Sequence, residues 1–232
     1  VCPMDNYQNA LRTSLLIIDA KTGEAEQYWY PNEETRNDAV YSLLLSQKNR
    51  LYIMPGGYFL EFDIATREWT FAKRVPGETA MSFAEGPDGT IYAATYPNCR
   101  LVSYNPETGA FVEHCQLDPT EKYPSYLAVD KAGWVYAGIG TAKSNLVAFN
   151  PKTGELKQVA KDSERQTGTG TVYLGTDGRV YGRVSGKSSY YRLYNGKWNM
   201  IGGSGLPKAP VKTISWGSMI AEFPYGGRIN KI

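Results

Sequence analysis

Histidine occurs once in this 232-residue chain, at position 114. That scarcity leaves no His-Glu-x-x-His zinc helix and excludes Ser-His-Asp chemistry unless His114 itself sits at the site. Gly-x-Ser-x-Gly elbows, Walker loops and Rossmann fingerprints are absent too. Neither sign of charge dominates: 25 basic and 23 acidic residues are scattered for a net +2. Such a balance provides no electrostatic footprint for nucleic acid or anionic lipid, so no nucleic-acid partner is expected. Apolar runs reach about five residues, as in Ser14 to Ile18, against the roughly 20 that a membrane span needs. The three cysteines, Cys2, Cys99 and Cys115, have no zinc-ligand spacing. Low-complexity stretches and linker composition are missing, which argues for one domain. At this length roughly 70% of the unfolded surface can be buried, so the core needs no metal or disulfide staple.

What the chain does have is a repeat. An apolar residue, Asp or Asn, two further residues and Thr-Gly or its remnant recur at Ile18-Asp19 to Gly23, Phe62-Asp63 to Arg67, Tyr104-Asn105 to Gly109 and Phe149-Asn150 to Gly154. A contracted copy is Tyr194-Asn195-Gly196, and the Asp/Asn positions step by 44, 42, 45 and 45 residues. A fixed period in this range marks an array of similar units. Each period divides into four short strands. In one of them Met81–Ala84, Thr90–Ala94, Arg100–Tyr104 and Ala110–Glu113 are separated by turn residues. Tyr52, Tyr92, Tyr136 and Tyr181 form a column on the second strands, and Trp69, Phe111, Leu156 and Trp198 form one on the fourth. Four-stranded all-β units at this period predict a β-propeller. The tyrosine column could ring a channel with phenols, but packing of each blade on the next explains it better.

Complete blades are expected over about 38–73, 80–115, 124–160 and 169–201, with a composite blade from 211–232 plus 14–30. That arrangement favours five blades, while a portion of a six- to eight-bladed propeller is the alternative. Gly217 to Glu222 matches Gly89 to Ala94 position by position, and Arg228 to Ile232 aligns with Arg100 to Tyr104.

Closing the hairpin at Tyr104 and Ala110 puts Cys99 opposite Cys115, within disulfide range. A bond there would imply an oxidising compartment, extracellular or periplasmic. Two reduced, half-buried thiols are the alternative.

In a propeller the loops from fourth to first strands and from second to third strands share one face, where a binding site is expected. This face would display Tyr58, Tyr96, Asn98, Tyr123 and Tyr225, with Lys143, Arg165 and Lys187. Phenols with amide and basic groups suit a sugar ring or a peptide. Two carboxylates interrupt apolar columns. Glu85 stands where other blades have Leu45, Val129 and Leu174, and Glu222 stands in line with Met54, Ala94, Gly138 and Arg183. A carboxylate in such a place must be hydrated, paired or functional. Arg183 is a candidate partner for Glu222. Glu85 has none evident and is the candidate ligand for a divalent cation such as calcium.

The blade motifs Phe/Tyr-Asp/Asn-Pro-x-Thr-Gly and Asp-Gly-x-Ile/Val-Tyr resemble those of bacterial propellers of the SMP-30/gluconolactonase, streptogramin-lyase-like and quinoprotein-like groups. The resemblance covers nearly the whole chain and implies the fold. Lactonases of this kind bind a metal at the channel mouth through Glu, Asn and Asp, which would give Glu85 and Asn98 that role here. Streptogramin lyases use a histidine, and this chain has none on the expected face. Quinoproteins carry a Trp after the Thr-Gly turn, echoed by Trp69 and Trp198, but also a vicinal cysteine pair that is missing. WD-dipeptide and kelch signatures are missing as well. Three functions follow as expectations: a module binding carbohydrate or protein on the tyrosine face, a metal-dependent hydrolase or lyase at the channel mouth, or an architectural unit of a longer chain.

Overall fold

The repeated motif works through one turn geometry. Oδ1 of Asp19, Asp63, Asn105 and Asn150 accepts the N–H two residues on at 2.8–3.0 Å. Their carbonyls accept the N–H four residues on at 2.8–2.9 Å. A short polar side chain is therefore needed at the first position, where it stands in for a backbone acceptor. The last position has a positive φ, taken by Gly23, Gly109 and Gly154 at 71–76° and by Arg67 at 63°. Glycine reaches that conformation without a Cβ clash. The contracted copy, Asn195-Gly196, has positive φ at both residues and joins its strands as a two-residue hairpin.

These turns close antiparallel four-stranded sheets in the computed structural model, which describes residues 2–4, 13–19, 21–31 and 40–207. One sheet holds β1 (Cys2–Met4), β2 (Ser14–Ile18) and β3 (Ala25–Trp29). The first full blade is β4 (Leu43–Leu45), β5 (Arg50–Ile53), β6 (Tyr58–Asp63) and β7 (Glu68–Arg74). The second is β8 (Thr79–Glu85), β9 (Ile91–Tyr96), β10 (Arg100–Asn105) and β11 (Ala110–Gln116). The third is β12 (Tyr126–Val129), β13 (Val135–Ile139), β14 (Asn145–Phe149) and β15 (Leu156–Gln158). The fourth is β16 (Thr171–Leu174), β17 (Val180–Arg183), β18 (Tyr190–Tyr194) and β19 (Lys197–Ile201). Within each blade the strands follow chain order, so the first strand is innermost and the fourth outermost. Successive first strands lie side by side, β4 by β8, β8 by β12 and β12 by β16.

The core is divided among the gaps between sheets. One cluster joins Tyr52, Phe59 and Val75 to Ile91, Val102 and Tyr104. The next joins Tyr92, Cys99 and Leu101 to Val135, Val147 and Phe149, and a third joins Tyr136, Leu146 and Ala148 to Val172, Val180 and Leu193. No blade buries its faces alone; burial requires the next sheet. Where blades three and four approach most closely both chains are glycine: a Cβ on Gly138 would lie 2.2 Å from the Gly170 carbonyl oxygen. The tyrosine column is core, with Tyr52, Tyr92, Tyr136 and Tyr181 each no more than 5% exposed. Tyr136 donates to Asp130 at 2.9 Å and accepts from the Gly196 N–H of blade four at 3.0 Å. Tyr52, Tyr92 and Tyr136 pack in the clusters between blades, while the Tyr181 hydroxyl donates to Asp177 of its own blade.

The composite blade is outside what the structure describes on its C-terminal side, since residues 208–232 are not among the described residues. β1 pairs with β2, Cys2 opposite Leu16, in the position where that scheme places a C-terminal strand.

The cysteine register differs from the expected one. The hairpin closes at Asn105 and Ala110, one step from Tyr104 and Ala110, and a bulge between Arg100 and Val102 consumes a further residue. Cys99 thus faces Leu117, whose N–H donates to its carbonyl at 2.8 Å. Cys115 is diagonal to Cys99, and diagonal neighbours lie about 7–8 Å apart, beyond comfortable disulfide reach. Both are free thiols sharing one apolar cluster, which withdraws the argument for an oxidising compartment. Burial pushes the Cys99 thiol up to about 12 and also raises Cys115. In a Cys2→Ser background, maleimide at pH 8 is expected to label Cys115 slowly and Cys99 only after denaturant. Peptide mapping that found a Cys99–Cys115 bond, or rapid native labelling of Cys99, would overturn this assignment.

Candidate functional site

The loops joining β11 to β12 and β15 to β16, with the second-to-third-strand loops, gather on one face, as their strand order requires. Asp118 organises this face. Its Oδ1 accepts the N–H groups of Thr120 and Glu121 at 2.9 and 3.0 Å. Its Oδ2 accepts from Asn145 Nδ2 and Arg165 Nη2, both at 2.8 Å. Burial acts to raise the Asp118 pKa, but the bonds from Thr120, Asn145 and Glu121 outweigh it and hold the carboxyl below its ordinary value. The side chains of Asp118 and Arg165 are 1% and 10% exposed, so this is a buried ion pair. It links the loop entering blade three to the loop leaving it. Glu121, also buried, accepts the N–H groups of Thr141 and Lys143 and fixes the β13–β14 loop. Loops built this way are held, so the groups they display have set positions.

The displayed groups are mostly phenols. Tyr96, at the end of β9, and Tyr123 have ring centroids 4.8 Å apart and planes tilted by 33°. The Tyr123 hydroxyl beside it holds the Tyr96 phenol above its ordinary pKa. Tyr41, just before β4, and Tyr126, first in β12, are 61% and 44% exposed at the same end of their blades. Sequence reasoning missed both, as it missed Asp118, Glu121 and Asn145. Its columns tracked residues repeated in every blade, and these are not repeated. The Asp118-Pro-Thr-Glu121 run, an Asp two residues ahead of a hydroxyl, is the signal that could have marked the loop.

The remaining predicted residues fare unevenly. Tyr58 opens β6 on this face, half-buried, with the Arg74 guanidinium 5.3 Å from its ring centroid. Asn98 is here too, but its Oδ1 accepts from Thr95 Oγ1 at 2.7 Å and serves its own turn. Tyr225 and Glu222 lie outside the described residues. Glu85 does occupy the column of Leu45, Val129 and Leu174, since each pairs with the first residues of its second strand. Yet it ends β8, whereas Asn98 follows the end of β9 that pairs with the start of β8. Six strand steps put them about 20 Å apart, on opposite faces. Glu85 is instead half-buried in a cleft of about 430 Å³ with Gln47, Lys48 and Asp88, and accepts the Gln47 N–H at 3.0 Å. That bond ties blade two to blade one. Among the described residues no three His, Cys, Asp or Glu side chains are grouped to hold a metal. Glu85 and Asn98 therefore do not form a lactonase-like cation site.

His114 lies on the outermost strand β11, with Nε2 2.8 Å from Ser103 Oγ and the ring beside Tyr92 and Phe149. Burial lowers its pKa. It sits at the outer edge of its own blade, its one side-chain hydrogen-bond partner among the described residues being Ser103. No helix among the described residues is long and apolar enough to cross a membrane.

No protein-family model matches this sequence, and no curated protein does. Solved structures do match in fold. A streptogramin B lyase has a TM-score of 0.58 at 14% identity over 85% of this chain and 63% of its own. Virginiamycin B lyase from Staphylococcus aureus has 0.56 at 13% identity, over 87% and 69%. The extracellular domain assigned to a hybrid two-component system of B. thetaiotaomicron has 0.52 at 17% identity, over 87% and 27%. The chain thus spans under two thirds of the length of the streptogramin B lyase. Identities this low carry the β-propeller fold and no activity.

Proposed function

We propose that this chain is a propeller binding module that holds a carbohydrate or protein partner on the face carrying Tyr41, Tyr96, Tyr123 and Tyr126. The observation that carries this reading is a group of phenols at one face, Tyr41 and Tyr126 exposed and Tyr96 against the half-buried Tyr123, whose loop is pinned by the buried Asp118–Arg165 pair and Glu121. Rigid aromatic surface binds at low entropic cost, and phenol hydroxyls add directionality. A lyase reading has less support. One related virginiamycin B lyase structure is of a form inactivated by a His→Ala change, and the single histidine here is packed at a blade's outer edge.

The test is binding to a panel of soluble glycans and peptides, compared between two double variants. Tyr96→Ala with Tyr123→Ala alters the loop face, while Lys48→Ala with Asp88→Ala alters the opposite one. The reading expects the first pair to weaken binding roughly tenfold or more and the second to leave it unchanged, with both melting cooperatively. Equal loss in both pairs, or loss only in the second, would refute it.

A further inference from the structure

One blade departs from the even mix of charge. Between Thr171 and Ile201 the chain has five basic residues and one acidic, Asp177. Register decides where they point, because side chains alternate along a strand and paired residues share a face. Val180 and Leu193 pair with each other and belong to the cluster shared with blade three. Tyr181 and Arg192, the next pair, therefore face away from blade three, as do Arg183, Tyr190 and Tyr194, each two residues from one of them. Lys197, paired with Tyr194, and Asn199, paired with Arg192, extend this face to β19. Among the described residues no sheet packs on that side. The other full blades use the same face for burial. Glu61, Ser103 and Ala148 pair with Tyr52, Tyr92 and Tyr136 as Arg192 pairs with Tyr181, and all three are buried. Arg183 stands in the column of Met54, Ala94 and Gly138, which are buried too. Here both arginines are exposed. Covering them would bury two cations, at a cost that only opposite charge offsets.

We infer that this face of blade four docks an acidic protein surface, one that presents Asp or Glu side chains to Arg183, Arg192 and Lys197. The cations are available: Arg179 is met by Asp177 at 3.0 Å, whereas the other three join no ion pair among the described residues. They are also held. The Arg183 guanidinium lies over the Tyr190 ring at 5.3 Å, and Arg192 Nε donates to Asn199 Oδ1 at 3.2 Å. A guanidinium fixed in this way meets a carboxylate through two parallel hydrogen bonds at reduced entropic cost. Arginine beside tyrosine is also the composition enriched where proteins meet. Residues 208–232 of the chain itself have four basic side chains and one acidic, so they bring no net negative charge to match. Nucleic acid bound here would need phenol faces for its bases, and Tyr190 and Tyr194 each have one face under a guanidinium. The inference stands apart from the loop-face reading and does not rest on it.

The experiment measures affinity of the intact chain for polyglutamate, a neutral polypeptide of equal length and oligothymidylate, at low and high salt. The wild type is compared with Arg183→Ala/Arg192→Ala, with Lys197→Glu and with a control in the β11–β12 and β13–β14 loops, Lys122→Ala/Lys143→Ala. Polyglutamate is expected to bind best, to weaken with salt, and to lose roughly tenfold in the arginine variant. Lys197→Glu, a change at an exposed position, is expected to weaken it as well, and the loop control to leave it unchanged. Equal loss in the loop control, or none in the arginine variant, would overturn the assignment of this face. Tighter binding of oligothymidylate would overturn it in favour of a nucleic-acid ligand. Self-association abolished by the arginine variant, with polyglutamate unbound, would give the face to a second copy of the chain instead. Should no probe bind while the arginine variant melts lower, the arginines serve the chain's own packing and the inference fails. It fails equally if no probe binds and nothing else changes. None of these outcomes touches the loop-face reading, which the Tyr96 and Tyr123 variant tests separately.

Discussion

Replacing Glu61 with alanine is expected to destabilise the protein by about 3 kcal/mol, a fall of roughly 6–12 °C in melting temperature for a chain this size. Glu61 lies on β6, and its side chain is 1% exposed. Its carboxylate is met by Arg50 at 2.5 Å, by the Tyr52 hydroxyl at 2.6 Å and by the Thr70 hydroxyl. Three donors from β5 and β7 thus converge on one acceptor between them. Alanine leaves the Tyr52 phenol buried without a partner, and unmet buried donors cost about 1–3 kcal/mol each. Arg50 limits the damage: its side chain is 32% exposed, and Asp63 is 3.5 Å away as a substitute. Glu61→Gln retains one acceptor but turns an amide toward Arg50, so an intermediate loss is expected. Denaturant melts of both variants check this, and a change within about 0.5 kcal/mol for Glu61→Ala would show the network to be dispensable.

Asp130→Ala should cost at least as much, about 3–5 kcal/mol, for a different reason. Asp130 is fully buried in the turn between β12 and β13. Its Oδ1 accepts the Ala132 and Trp134 N–H groups at 2.9 and 3.0 Å. Its Oδ2 accepts the Tyr136 hydroxyl at 2.9 Å and the Asn195 N–H of blade four at 2.7 Å. Half of these donors shape the local turn, and the rest couple blade three to the β18–β19 hairpin. Burial is the largest influence raising the Tyr136 phenol above its ordinary pKa, followed by the Asp130 charge, so the tyrosine stays a donor throughout the working pH range. Tyr136→Phe removes that donor and the acceptor of the Gly196 N–H while leaving the Asp130 carboxylate in place, and is expected to cost about 1–2 kcal/mol. Hydrogen exchange separates the two roles. Slow Asn195 and Gly196 amides are expected to speed up in Asp130→Ala, and unchanged protection there would deny the blade-to-blade coupling.

Both networks show what a one-dimensional reading leaves out. The tyrosine column was legible because every blade repeats it, and so was its packing role. The partners were not: Tyr52 uses a Glu on its third strand, whereas Tyr136 and Tyr181 use the Asp of their turns. Glu85 was legible as an exception to an apolar column. Its place was not, because the column says which residues are equivalent but not toward which end of the channel a side chain opens. The cysteine pair was missed by two one-residue shifts, a hairpin that closes at Asn105 and Ala110 and a bulge beyond it, neither of which leaves a mark in the spacing of Cys99 and Cys115.

From the amino-acid order alone came the all-β class, the four-stranded blade and the face on which loops collect. All of these follow from local turn chemistry and strand alternation, which act within one repeat and recur at each. Only the tertiary structure decided that Asp118 and Arg165 meet, that Tyr96 lies against Tyr123, and that Glu85 and Asn98 are separated by the height of a blade. The two contacts join residues 47 and 27 positions apart, and Glu85 and Asn98 are kept apart although only 13 positions separate them; packing and register, not sequence spacing, set these distances.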